Sequence, residues 1–83
     1  MVSAESIQRS IQDGLPCTHV AVDGDGHHFQ AVVVSDRFAG LSRIRQHQLV
    51  YAALGDRMRE EIHALSLQTF TPEAWDAVGP RGG

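Results

Sequence analysis

The chain has 83 residues and a formal net charge of −3, with seven arginines and no lysine, five histidines and a single cysteine. That length leaves room for one small domain over 1–83, and one thiol excludes both an internal disulfide framework and a cysteine-based structural zinc motif. The acidic balance disfavours a protein that grips nucleic acid by general attraction, and no apolar stretch approaches the ~20 residues of a membrane span. The expected setting is the reducing cytoplasm, with no leader and no membrane partner.

The first predicted element is a helix from about Ser3 to Asp13. Ser3 is its cap, Ile7 and Ile11 lie one turn apart, and "DGLP" stops it. Two strands follow, Thr18 to Asp23 and Phe29 to Val34, in runs rich in β-branched residues. The "DGDG" step at their junction is a hairpin signal, because Gly24 and Gly26 tolerate the positive φ of tight turns.

A second helix is expected from Ser42 to Leu54, broken by Gly55. On a 3.6-residue wheel Ile44, Val50, Tyr51 and Leu54 share one face, with Arg45, Gln48 and Ala52 opposite. "DRMREE" reads as a short helical turn, "IHALSLQTF" as a half-buried strand, and "TPEAW" as a capped C-terminal helix anchored by Trp75. Residues 79–83, "GPRGG", read as a frayed tail. The order is α-β-β-α-α-β-α. Because two helices cross over between the second and third strands, those strands should run parallel in a mixed three-stranded sheet, with helices on one face.

Arg37, Arg43, Arg45, Arg57 and Arg59 crowd the middle third, a solvated face or a local anion- or partner-binding surface. Arg43, Arg45 and Gln46 fall near the start of the second helix, where a helix-turn-helix unit presents its readers. His47 joins them as a candidate contact, although its place beside Val50 and Tyr51 also suits a half-buried packing residue. "GDG" is no phosphate cradle, since a β-branched run rather than a helix follows it. The serines, the lone thiol and the carboxylates form no catalytic constellation, so an enzyme is not expected. His19 and Cys17 have no assigned role.

Four stretches, "GDGHHF", "SDRFAGLSRIRQHQLVYAAL", "IHALSL" and "TFTPEAW", together resemble the BolA family over essentially the whole chain, and the short "GDG-x-HF" loop is most similar to its IbaG branch. The resemblance implies an α+β fold similar to type II KH domains. It also implies a non-enzymatic partner of monothiol glutaredoxins that shares a [2Fe-2S] cluster with the glutaredoxin and its glutathione, holds none when isolated, and serves iron-sulfur trafficking or iron regulation. The alternative it carries is a stress-linked, DNA-binding transcriptional regulator; a weak homodimer is also open.

By the same resemblance His63, in "hAL", is a cluster ligand, and a second ligand comes from the loop between the first two strands. The aligned loop position here is Asp25, which leaves His27 as the substitute and His28, directly before Phe29, as the other candidate. The helix-helix turn reads "GDRM" in place of the G-x-x-G clamp of RNA-gripping KH domains, so RNA binding of that kind is not expected.

Overall fold

The computed structural model describes residues 2–62 and 64–78; His63 and the expected tail at 79–83 lie outside the described residues. The elements are α1 (Ala4–Gly14), β1 (His19–Gly24), β2 (His28–Val34), a 3-10 turn (Asp36–Phe38), α2 (Arg43–Leu54), α3 (Arg57–Glu60), β3 (Ala64–Phe70) and α4 (Pro72–Val78). The expected order holds. Each boundary falls within a residue or two of its sequence signal, and the 3-10 turn is the one element the sequence did not announce.

Local chemistry explains the helix starts. Ser3 Oγ accepts the Ser6 N–H at 3.1 Å, Ser42 Oγ accepts Arg45 N–H at 3.2 Å, and Thr71 Oγ1 accepts Ala74 N–H at 3.2 Å. Each satisfies an amide that the first helical turn leaves unpaired. Ser35 is fully buried yet satisfied, since its hydroxyl donates to Pro16 O at 2.6 Å and accepts Arg37 N–H at 3.1 Å, which seeds the 3-10 turn.

The sheet order is β1-β2-β3, with β1 antiparallel and β3 parallel to β2. Val20, Phe29, Ala31 and Val33 face one side, where α1 delivers Ile7 and Ile11 and α2 delivers Val50 and Leu54. Burying a side chain of this size contributes roughly 1.5–3 kcal/mol. These few residues therefore account for most of the fold's cohesion.

The arrangement of α2 and α4 departs from expectation in two ways. On α2, Val50 and Leu54 are buried as read, but Ile44 is 71% exposed and Tyr51 38% exposed. Polar residues take the inner position instead. Gln46 Nε2 donates to Phe38 O at 3.2 Å and Leu41 O at 3.1 Å, while its Oε1 accepts Thr69 Oγ1–H at 2.6 Å. The apolar wheel is thus displaced by an amide whose partners lie on neighbouring segments.

The second departure is α4, whose Trp75 caps one end of the sheet face opposite α1 and α2. Trp75 stacks on His19 at 5.2 Å between centroids and tilts against Phe70 at 5.3 Å. His19, Val34 and Phe70 are lateral neighbours across the three strands and point away from the main core. A β-strand alternates its side chains, so one apolar row at that end of the outer face remained to be capped.

α3 is tied to α1 by one side chain. Arg57 Nη1 donates to Ser6 O at 3.1 Å and to Ser10 Oγ, Nη2 donates to Ser6 Oγ, and both Nε and Nη2 reach Glu61 Oε1, at 3.2 and 3.1 Å. The "GDRM" turn therefore carries a structural clamp on its arginine.

Candidate functional site

The histidine loop is the tip of the β1-β2 hairpin. The last ladder pair is Gly24 with Phe29, and beyond it Asp25 N–H donates to His28 O at 3.2 Å, leaving Gly26 and His27 at the apex. Gly26 has φ +101°, the positive value expected of it. Gly24 is a correction, since it is not among the glycines at positive φ. What requires glycine there is space: a Cβ would lie 2.4 Å from His28 O and 2.6 Å from Phe29 Cδ1.

Asp25 organises the apex. Its Oδ1 accepts the N–H of His27 and of His28, both at 2.9 Å. Those two bonds, with that to His28 the stronger cause, hold the carboxyl below the usual aspartate range. Asp25 thus fixes the backbone of the two histidines that follow it. Both imidazoles are on exposed residues.

β2 places the loop relative to the rest of the sheet. His28 opens β2 and is the register partner of Ala64, the first residue of β3. Parallel neighbours sit about 4.8 Å apart. Ala64 follows His63 in sequence, so the hairpin tip and the entry to β3 share one end of the sheet. Among the described residues no three His, Cys, Asp or Glu side chains gather as a metal site.

The second helix presents its candidates unequally. Arg43 and Arg45 are exposed, as expected of contact residues. Gln46 is not available as a reader, because both ends of its amide are engaged inside the fold. His47 is half-buried, and its Nε2 is shut off from solvent with no hydrogen-bond partner among the described residues. That half-buried place agrees with its neighbours Val50 and Tyr51 on α2, and the residue also lines a cleft beside β3.

Two residues passed over in the sequence turn out to be placed with care. His19 supports Trp75, and the alternation of β1 was the only available hint. Cys17 Sγ donates to Leu15 O at 3.1 Å, and burial pushes its thiol pKa up. Among the described residues no helix is long and apolar enough to cross a membrane.

Fold and site together define a small mixed-sheet α+β domain whose two adjacent histidines, His27 and His28, are displayed at a hairpin tip. A family model described as BolA-like protein matches residues 2–74, and the chain belongs to the BolA family. It is 39% identical over 70 residues to the acid stress protein IbaG of Escherichia coli, covering 83% of each chain. It is 32% identical over 81 residues to the DNA-binding transcriptional regulator BolA of Haemophilus influenzae, covering 86% of this chain and 79% of that one. A solved BolA homologue from Coxiella burnetii superposes with a TM-score of 0.84 at 45% identity, covering 92% of this chain and 99% of that one.

Proposed function

We propose that this chain is a non-enzymatic partner of a monothiol glutaredoxin, sharing or receiving a [2Fe-2S] cluster as cargo in iron-sulfur trafficking or iron regulation, in the cytoplasm. The observation that carries the proposal is the pairing of His28 with Ala64, which brings the loop histidines to the sheet end where β3 begins. In this proposal His63 and His27 are the ligands, with His28 the alternative within the loop. A [2Fe-2S] centre takes four ligands, so two imidazoles from this chain require further ligands from the glutaredoxin thiolate and its glutathione. Imidazole in place of thiolate also raises the cluster's potential, as in Rieske centres. The loop's rigidity supports the assignment, because Asp25 fixes the backbone from which both histidines project.

The test is a titration of cluster-loaded monothiol glutaredoxin with this protein, followed by visible circular dichroism. A new spectrum saturating at a fixed ratio is expected. A spectrum identical to that of the glutaredoxin alone would overturn the proposal.

Duplex DNA is the second candidate partner, favoured by the exposure of Arg43 and Arg45 at the start of α2 and by relatives named as DNA-binding regulators. With Gln46 turned inward, the helix keeps cations there but has lost one base-reading amide. Binding that persists at near-physiological salt is what this candidate requires.

A further inference from the structure

We propose that the cleft between α2 and the free edge of β3 receives an extended peptide strand from a partner protein, which adds to β3 and sets a carboxylate against Arg43. The cleft has a volume of about 340 Å³ and is lined by Arg43 and His47 of α2 and by Leu67, Gln68, Thr69 and Phe70 of β3. Four consecutive strand residues on one wall mean that it runs along the strand.

That edge is available for pairing. β3 has β2 on one side and, among the described residues, no strand on the other. Ser35 N–H donates to Phe70 O at 3.0 Å, so the Phe70 carbonyl faces the β2 side. Successive residues of a strand direct their backbone groups to opposite sides, which leaves the N–H and C=O of Leu65, Leu67 and Thr69 on the open edge. The strand, "ALSLQTF", also lacks the charges and prolines with which exposed edges are normally blunted. Strand addition satisfies such a row of donors and acceptors, and pockets beside it select side chains.

Charge selects the occupant. Arg43 is exposed, makes no hydrogen bond or ion pair among the described residues, and is the one cationic side chain among the lining residues; no acidic side chain lines the cleft. A guanidinium in that position is matched by a carboxylate. A peptide strand supplies both donors and acceptors to the β3 edge, whereas a phosphodiester chain supplies acceptors alone and meets a single cation. His47, whose Nε2 is buried without a partner among the described residues, lines the same helix wall as Arg43. The Gln46–Thr69 bond pins helix to strand and keeps the two walls in register. Thr69 lies five residues from Ala64, about 16 Å along the strand, so the peptide can be held while the histidine loop is engaged.

The test is an amide-shift NMR titration of the full chain with the probe peptide acetyl-Thr-Val-Thr-Val-Asp-amide. The controls are its Asp-to-Asn analogue, an alternately N-methylated form, a short DNA duplex and the Arg43→Gln protein. The expected result is shifts and exchange protection at Leu65, Leu67 and Thr69, weakened several-fold by the Asn analogue and by Arg43→Gln, and abolished by N-methylation. No shift along β3, an undiminished response with the Asn analogue or with Arg43→Gln, or shifts with the duplex but not the peptide would each overturn the proposal. So would protection of those amides that rises with protein concentration without peptide, since a second copy would then be the occupant.

Discussion

Asp25 and His28 hold each other twice across the hairpin tip, the aspartate Oδ1 accepting the His28 amide at 2.9 Å and the Asp25 amide donating to His28 O at 3.2 Å. Only the first of these bonds responds to pH. Because the folded carboxyl titrates below its unfolded value, its contribution to loop order is present above the unfolded pKa and is lost as pH falls through the folded one. The amide resonances of His27 and His28 should therefore titrate together, with a midpoint below that of a free aspartate. Asp25→Ala should remove that titration and speed exchange at both amides; NMR of the isolated protein checks both.

Gly24 and Gly26 should respond differently to alanine. At Gly24 a methyl meets a carbonyl and a buried ring, and such overpacking costs about 1–3 kcal/mol. At Gly26 the penalty is conformational, on the order of 1 kcal/mol from forcing positive φ. Urea unfolding should rank Gly24→Ala below Gly26→Ala, and His27→Ala close to the parent protein.

The histidines should separate by spectrum more than by stability. His63→Ala is expected to change the absorption and lifetime of the shared cluster most and His27→Ala clearly, while His28→Ala, because His28 also opens β2, should combine a smaller spectral change with some loss of stability. Visible circular dichroism of each variant with cluster-loaded glutaredoxin reads this directly. If His28→Ala abolishes the mixed spectrum and His27→Ala leaves it intact, the ligand within the loop is His28.

Arg57 should matter far more than its ion-pair partner. Arg57→Ala strands the hydroxyls and the carbonyl it bonds on α1, a loss of about 1–3 kcal/mol. Glu61→Ala removes the two hydrogen bonds that one oxygen of an exposed carboxylate accepts and should cost at most about 0.5 kcal/mol. Denaturant midpoints at matched pH distinguish the two.

The hairpin, the two flanking helices and the parallel return of β3 were legible because each rests on local chemistry: a turn glycine, a capping hydroxyl, or a crossover whose length permits one hand. The inner face of α2 was not, because Gln46 is buried by bonds to Phe38, Leu41 and Thr69, and no helical wheel shows partners on other segments. Gly24 was recognised as essential for the wrong physical reason; the ring of Phe29 behind it is a tertiary fact. At the hairpin tip, the place of His27 and His28 was legible from the turn residues before them, whereas the role of Asp25 depended on where its side chain folded back. α4 was found but assigned to the wrong layer, since nothing in "TPEAW" announces that His19 would be its seat.

Cys17, with its thiol donated to Leu15 O and its pKa raised by burial, has a bearing on how this protein behaves under oxidants. Thiolate is the species that attacks peroxides and disulfides, and burial disfavours that form of this side chain. As the sole cysteine of the chain, it leaves the polypeptide without a readily oxidised thiol. If the proposed assembly with a glutaredoxin forms, a thiol signal that follows its mild oxidation therefore arises first from the partner's cysteines, with Cys17 lagging behind.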